Sequence, residues 1–279
     1  MYTTLISASQ LADLPAEDVV ILDCRFQLAN PDYGLAAYQA GHIHGAIYMN
    51  LDYHLSGVKT GDNGRHPLPD GQRLAVDLGA AGISAETQVV CYDDAGGMYA
   101  ARAWWLLRWL GHEAVAVLDG GFQAWQAAGL SIDSDKERRM PRRFPVRTPL
   151  AETVDAQQVL ANIETPDFTV VDARSPERFR GEGETLDPVA GHIPGAANRF
   201  YMNNLDQQGR FKTAEQLKTE WTDALGAAFD PAAIVHQCGS GVTACHNLLA
   251  MEHAGLAGSR LYPGSWSEWC SDPTRPVAR

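Results

Sequence analysis

The two halves of this sequence repeat each other, and the repeat restricts the folds that the chain can adopt. An apolar run ends at Asp23 in the first half and at Asp172 in the second, and an arginine follows each aspartate two residues later. Residues 41–46, with the sequence GHIHGA, recur as residues 191–196 with the sequence GHIPGA. Strands alternate with helices in both halves, so we predict two α/β domains, each a mostly parallel sheet flanked by helices.

The boundary between the halves lies in a stretch rich in charge and proline. Residues 133–149 contain five arginines and three prolines and have no apolar period, which is typical of a solvated linker. We therefore expect one domain at 1–132, a linker at 133–149 and a second domain at 150–279. A chain of 279 residues is long enough for two domains.

The composition excludes several classes of partner. The formal net charge of −12 disfavours nucleic acid and anionic membranes. No apolar run reaches the roughly 20 residues that span a bilayer, and the N-terminus has no secretory signal pattern. The five cysteines are an odd number without Cys-x-x-Cys pairs, which indicates a reducing compartment and hence the cytoplasm. Histidine and glycine spacings predict neither a metal site nor a dinucleotide cofactor.

One cysteine lies where a buried strand meets a helix. The apolar residues 232–235 predict a strand, two glycines follow Cys238, and a helix is predicted from Val242. A tight loop before a helix N-terminus directs backbone N–H groups inward and favours an anion, so Cys238 should ionise readily. A buried packing role is the alternative for a lone cysteine.

The loop sequence CGSGVTA at 238–244 resembles the active-site loop of the rhodanese-type sulfurtransferases, and more closely that of the 3-mercaptopyruvate enzymes. The resemblance extends over essentially the whole chain and implies two rhodanese folds without a cofactor. The residues at 94–100 would be the first-half counterpart of the loop, with Asp94 in place of cysteine. A carboxylate cannot carry transferable sulfur, so we expect the first domain to be catalytically inactive.

The resemblance implies an enzyme that transfers sulfur through a persulfide on Cys238. The acceptor would be cyanide, a small thiol or thioredoxin, and Ser240 would relay a proton to the departing enolate. The donor would be 3-mercaptopyruvate, with thiosulfate as the alternative. The backbone of the loop would cradle the anionic sulfur. The cradle residues are Gly239, Ser240, Gly241, Val242, Thr243 and Ala244.

Arginine is expected to bind the anionic donor. The segment ERFRG at 177–181 resembles the family's donor-binding segment, which assigns Arg178. The family's second arginine is missing from residues 182–188, which read EGETLDP. Substitutes could come from elsewhere in the chain. The candidates are Arg180, Arg199 and Arg65. The resemblance also implies that a histidine and an aspartate of the first domain assist Ser240 in the proton relay at the donor, which assigns His42 of the GHI turn, with Asp32 as the nearest candidate acid.

Two other classes remain to be weighed. Cysteine phosphatases of the cell-cycle type share this fold, but they need an arginine at the sixth position after cysteine, where this chain has Ala244. A non-catalytic sulfur-carrier or regulatory module is the second alternative, and the intact Cys238 loop speaks against it.

Overall fold

The computed structural model describes all residues from Met1 to Arg279. The chain divides into two compact units. Unit 1 comprises residues 1–57, 69–150 and 207–210, and unit 2 comprises residues 58–68, 151–206 and 211–279. A short segment from the first half of the sequence, 58–68, therefore belongs to the second unit.

Unit 1 is built on a five-stranded parallel sheet in the order β1-β6-β5-β2-β4, and β3 pairs with β7 in a separate antiparallel ribbon. Its strands are β1 (Leu5–Ile6), β2 (Val19–Asp23), β3 (His42–Ile43), β4 (Ala46–Tyr48), β5 (Gln88–Tyr92), β6 (Val115–Leu118) and β7 (Ile132–Asp133). Its helices are α1 (Ala8–Ala12), α2 (Tyr33–Ala40), α3 (Gly71–Ala80), α4 (Met98–Trp109) and α5 (Gly121–Ala127).

Unit 2 has a four-stranded parallel sheet in the order β11-β10-β8-β9. Its strands are β8 (Thr169–Asp172), β9 (Ala197–Asn198), β10 (Ile234–Gln237) and β11 (Arg260–Leu261). Its helices are α6 (Ala156–Glu164), α7 (Pro176–Phe179), α8 (Ala214–Leu225), α9 (Thr243–His253) and α10 (Ser265–Trp269). The predicted pair of α/β domains with parallel sheets is confirmed. No helix in the chain combines the length and the apolar character that crossing a membrane requires.

The central strands are buried on both faces, as their apolar sequences predict. All five residues of β2 are buried, and so are all four residues of β10. In unit 2 the indole rings of Trp266 and Trp269 are fully enclosed and pack with Val235 in the core. Burial of these large rings attaches the short helix α10 to the sheet.

The duplicated aspartate and arginine form the same buried ion pair in both units. The guanidinium of Arg174 donates from Nε and Nη2 to the carboxylate of Asp172, and its Nη2 also reaches the Gly191 carbonyl at 2.8 Å. Arg25 makes the corresponding bonds to Asp23 and to the carbonyl of Gly41. Each pair therefore ties the end of a central strand to its repeated glycine turn.

The segment 133–149, predicted as a linker, runs without helix or long strand and belongs to unit 1. Phe144 is buried against the ring of His112, and the N–H of Arg142 donates to the Gly79 carbonyl at 2.9 Å. Most of this segment therefore packs along unit 1. That residues 133–149 are the boundaries of a linker stays a prediction.

We predict that Asp172→Ala lowers the free energy of unfolding by about 3–5 kcal/mol, because the substitution removes every hydrogen bond that Arg174 makes to a carboxylate and leaves only Glu184, 3.7 Å from Nη1, beside the buried charge. Chemical denaturation followed by tryptophan fluorescence would measure the loss. Asp167→Ala, at an exposed loop position, is the control and should change stability by less than about 0.5 kcal/mol. Equal stabilities for the two variants would contradict the prediction.

Candidate active site

The thiol of Cys238 lies at the carboxyl end of β10, in the centre of the unit 2 sheet. The strand starts two residues later than the apolar run predicts, because Pro231–Ala233 form a 3₁₀ turn. Cys238 is 2% exposed. Its N–H donates to Oγ of Ser265 at 3.1 Å, and its carbonyl accepts from the N–H of Trp266 at 3.0 Å. The start of α10 thus fixes the backbone of Cys238 on both sides.

The residues after Cys238 turn tightly into α9. The carbonyl of Gly239 accepts from the N–H of Ser267 at 2.9 Å, which extends the attachment to α10 by one residue. Gly241 has φ +75°, and a Cβ there would lie 2.3 Å from the Pro263 carbonyl oxygen, so the turn requires glycine. Helix α9 begins at Thr243, and the first N–H groups of a helix have no acceptor within it.

Unit 1 contains a loop of the same length. Its position shows that the predicted equivalence of Asp94 and Cys238 is wrong by one residue. The carbonyls of Tyr92 and Gln237 accept from corresponding N–H groups at 2.8 Å, and Asp93 and Cys238 are the next residues. Asp93, and not Asp94, therefore occupies the position of Cys238. From this loop to α10 the second half has one residue fewer than the first half has from its loop to α5, so counting back from the tryptophan motif leads to Asp94. The Asp94 carboxylate instead accepts a hydrogen bond from the Tyr33 hydroxyl.

Asp93 reveals what such a loop binds. Its carboxylate is fully buried and accepts four backbone hydrogen bonds of 2.7–2.9 Å. Burial raises the pKa of Asp93, and the four N–H groups oppose that rise. The donors are Ala95, Gly97, Tyr99 and Ala100. The unit 1 loop is thus an anion cradle that the chain fills with its own carboxylate. Unit 1 offers no thiol at this position, in keeping with the predicted inactivity, which stays a prediction.

A histidine that the sequence reasoning left unassigned lies beside Ser240. His66 Nδ1 is 2.7 Å from Ser240 Oγ, and the two residues are 3% and 7% exposed. His66 belongs to the segment 58–68, inside the long connection between β4 and α3. A connection of that length without regular structure is itself a signal of function, because most connections in compact domains are short.

Two of the four candidate arginines reach the Cys238 loop. A Cβ on Gly239 would lie 3.1 Å from Nη2 of Arg65 and 3.6 Å from Nη1 of Arg178. Glu184 binds Arg178 through both carboxylate oxygens, at 2.9 and 3.0 Å. Burial raises the pKa of Glu184, but the N–H of Leu186 and the Arg178 guanidinium outweigh it, so this pKa lies below its ordinary value. Glu184 is therefore ionised at neutral pH and holds Arg178 in place.

The other two candidates are held elsewhere. Arg180 is half exposed and binds the carboxylate of Glu182 on the surface. The Arg199 guanidinium binds Glu220 at 2.6 Å and lies over the ring of Trp221. The structure gives neither guanidinium a contact with the Cys238 loop, because each is engaged by a nearby carboxylate.

His42 is enclosed in unit 1. It is fully buried and stacks on Tyr38, with Nδ1 2.7 Å from the Tyr38 carbonyl and Nε2 2.9 Å from Asp133. His192 repeats this arrangement in unit 2, stacked on Phe179 with Nδ1 2.8 Å from its carbonyl. The shared environment is that of a packed turn, and the ring of His42 has no surface open to a donor. Asp32, at the start of α2, makes no side-chain cap to that helix.

Comparisons with known proteins agree with this fold and site. The family model of the rhodanese-like domain matches residues 7–128 and 155–272. A probable 3-mercaptopyruvate sulfurtransferase of Pseudomonas aeruginosa is 48% identical over 278 residues, covering 98% of this chain and 97% of the relative. A putative thiosulfate sulfurtransferase of Mycobacterium tuberculosis is 40% identical over 288 residues, covering 99% and 96%. The solved 3-mercaptopyruvate sulfurtransferase of Leishmania major has a TM-score of 0.85 at 33% identity, covering 96% of this chain and 74% of that one.

Each unit has a parallel sheet and a tight loop between a central strand and the following helix. The loop starts with Cys238 in unit 2 and with Asp93 in unit 1. This arrangement is that of a tandem rhodanese-type protein. This chain belongs to the rhodanese family, with two copies of the domain. The predicted resemblance is confirmed.

We predict that Gly241→Ala distorts the Cys238 loop, because the added Cβ would meet the Pro263 carbonyl. The expected cost is about 1–2 kcal/mol for the left-handed backbone and about 1–3 kcal/mol for the overlap. Sulfur transfer should fall by about 10²-fold, the effect of a displacement near 1 Å. Gly255→Ala is the matched control, since Gly255 has φ +74° and open space around it. Gly255→Ala should lose only the stability that the left-handed backbone costs, and it should keep its activity. Equal losses of stability and activity in the two variants would contradict the proposed overlap with Pro263.

Proposed function

We propose that this chain transfers the sulfur of 3-mercaptopyruvate to a thiophilic acceptor through a persulfide on Cys238. The Cys238 thiolate attacks the donor sulfur, an S–S bond forms, and the donor C–S bond breaks. The electron pair of that bond stays with the carbon and gives the enolate of pyruvate. Protonation of this enolate releases pyruvate, and attack by the acceptor on the outer sulfur restores the thiolate.

The hydrogen bond between Ser240 and His66 is the observation that carries the choice of donor. An enolate needs a proton as it leaves, and Ser240 Oγ, two residues after Cys238, can supply one that His66 replaces. Sulfite, the leaving group of thiosulfate, needs no proton at neutral pH. The paired serine and histidine therefore favour mercaptopyruvate over thiosulfate.

The loop supports the persulfide by analogy with unit 1. Asp93 accepts from the residues two, four, six and seven positions after it. The first three corresponding positions after Cys238 are Ser240, Val242 and Ala244, whereas the fourth, Cys245, donates its N–H to the Val242 carbonyl. The N–H groups of the first three would stabilise an anionic sulfur as those of unit 1 stabilise a carboxylate. Gly239, Gly241 and Thr243 complete the proposed cradle.

Thiosulfate is the second candidate donor, because the Mycobacterium tuberculosis relative is named a putative thiosulfate sulfurtransferase. Two guanidiniums beside Gly239 would also suit that dianion. We propose cyanide, a small thiol or a thioredoxin-like dithiol protein as acceptor, and the cytoplasm as the compartment, since a persulfide carrier needs its thiol reduced and all five cysteines are free.

We predict that Ser240→Ala lowers kcat/KM for 3-mercaptopyruvate by about 10²-fold and leaves the thiosulfate reaction nearly unchanged, because only the first donor needs the proton. Thiocyanate formation from cyanide measures both reactions. Ser271→Ala, an exposed serine of unit 2, is the control for loss of a hydroxyl group.

Cys238→Ser should abolish transfer from both donors, and activity that survives in this variant would exclude the mechanism. A wild type that prefers thiosulfate, or a Ser240→Ala variant that loses both donors equally, would favour the second candidate.

A further inference from the structure

Four arginines lie close together in the segment that the sequence predicts as a linker. Residues 138–143 read RRMPRR, and we call them the arginine segment. The chain has 34 acidic but only 22 basic side chains, so a cation on this protein has many carboxylates to pair with. None of the four guanidiniums forms an ion pair with a carboxylate, and the next arginine, Arg147, reaches Glu86 only at 3.9 Å. The arginine segment therefore presents positive charge that the chain itself does not neutralise.

The main chain of the arginine segment is fixed against the end of α3. The N–H of Arg142 donates to the Gly79 carbonyl at 2.9 Å, and a Cβ on Gly79 would lie 2.5 Å from the Arg142 carbonyl oxygen. A Cβ on Gly82 would lie 3.0 Å from the Cβ of Arg139. Glycine at these two positions lets the segment pack closely, and a fixed main chain lowers the entropy lost when a ligand binds.

The guanidinium of Arg139 is half-buried and poorly bonded. Its Nη1 and Nη2 each lie 3.5 Å from the Ala16 carbonyl oxygen, beyond the usual range of a hydrogen bond. Its Nε is buried and has no hydrogen-bond partner. A shielded donor without an acceptor is costly, so an anion bound from outside the chain would stabilise this guanidinium.

Two cavities of unit 1 meet at Arg139. The larger has a volume of about 350 Å³ and lies between the arginine segment, β4 and the end of α3. The smaller has a volume of about 170 Å³, and its lining includes Arg142, Thr87 and the exposed Glu17. The larger volume is within the range of small-molecule sites.

The larger cavity offers both cationic and neutral donors. Arg138 and Arg139 line it together, and so does the ring of His54. Burial lowers the pKa of His54, so the ring is neutral at pH 7. Its Nδ1 accepts from the N–H of Asn50 at 2.9 Å, which leaves the proton on Nε2. His54 therefore adds an uncharged N–H donor to the two guanidiniums.

The same lining also contains acceptors. Asp77 is paired with Arg73 at 3.3 Å, and Glu137 is the second carboxylate of the cavity. Carboxylates accept hydrogen bonds from hydroxyl groups but repel a further anionic group. The lining therefore favours a ligand with one anionic end and a body that carries hydroxyl groups.

We propose that the larger cavity of unit 1 binds the phosphate monoester of a small polyol. The phosphoryl group would bind Arg138 and Arg139, and the hydroxyl-bearing part would lie between β4 and α3. A phosphoryl group carries nearly two negative charges and three acceptor oxygens, which suit two guanidinium forks. A carboxylate, with one charge and two oxygens, would satisfy only one of them.

The first test compares three ligands that share a three-carbon polyol. Glycerol 3-phosphate carries a phosphoryl group, glycerate carries a carboxylate, and glycerol carries no charge. Each is titrated calorimetrically into the wild type at constant ionic strength. Glycerol 3-phosphate should show saturable binding, glycerate should bind at least about 10-fold more weakly, the value of one lost charge-assisted hydrogen bond, and glycerol should not bind.

Variants of the arginine segment locate the ligand. Arg139→Met keeps the stem that packs on Gly82 and removes the guanidinium, so it should weaken glycerol 3-phosphate binding by about 10- to 100-fold. Arg139→Lys should recover part of this loss, because an ammonium keeps the charge but not the fork. Arg143→Met is the matched control, since Arg143 lines neither cavity, and it should bind as the wild type does.

Two further variants test the cavity and the rest of the chain. Ala80→Phe narrows the cavity from an exposed position of α3, so it should weaken binding of glycerol 3-phosphate while inorganic phosphate binds as before. Arg178→Met removes a guanidinium beside the Cys238 loop and should leave glycerol 3-phosphate binding unchanged. A loss in Arg178→Met would assign the ligand to that loop and overturn the proposal.

The remaining outcomes also decide the question. Equal weakening by Arg139→Met and Arg143→Met would mean unspecific attraction to the arginine segment, which overturns the proposal. Glycerate binding as tight as that of glycerol 3-phosphate, or no saturable binding of either, would overturn it as well. The readout is binding to unit 1, so none of these results bears on sulfur transfer at Cys238.

Discussion

Attachment of the Cys238 loop to the start of α10 is the constraint on which the rest of the site depends. A loop with two glycines would otherwise move freely. The bonds from Trp266 and Ser267 to the carbonyls of Cys238 and Gly239 fix it to a helix whose indole rings lie in the core. Ser265 adopts φ +56° to make this junction, a strained conformation for a residue with a side chain. Core packing of α10 thus maintains this strained backbone conformation beside Cys238.

The two units share one loop design, with the Asp93 carboxylate in the first and the Cys238 thiol in the second. In unit 1 the Asp93 carboxylate accepts hydrogen bonds from four N–H groups, which stabilises the loop. At the position of Cys238 the side chain ends in a thiol, and the N–H of Cys245, which corresponds to the fourth donor of unit 1, binds the Val242 carbonyl. The unit 1 loop is closed on its own carboxylate, whereas the proposed function of the unit 2 loop would direct the same kind of backbone dipoles at an anionic sulfur.

Much of the fold was predictable because it is local or repeated. The strands ending at Asp23 and Asp172, the helix after Cys238 and the duplication are all visible in the apolar pattern and in the motifs. The sequence did not reveal that Asp93 corresponds to Cys238, because the halves differ by one residue between this loop and the tryptophan motif. A constant numerical offset between the halves cannot detect such a difference. Its position in the GHI motif suggested His42 as a site residue, but the structure buries its side chain fully.

His66 and the orientation of Arg65 could not be read from the sequence for a different reason. Both lie in a connection without periodicity, and their partners, Ser240 and Asp187, are more than 100 residues away. In the sequence, the acidic residues Glu184 and Asp187 indicate the loss of a binding site, because an arginine is expected in this segment. Only the fold reveals that an acid there can place an arginine from another segment.

The assignment of residues 58–68 to unit 2 has a consequence for modularity. The division of the sequence into halves does not coincide with the division of the structure into units, because residues 58–68 of the first half belong to unit 2. A protein truncated to residues 150–279 would keep its thiol but would lack His66 and Arg65. The first half of the sequence therefore supplies two of the side chains that lie beside the Cys238 loop.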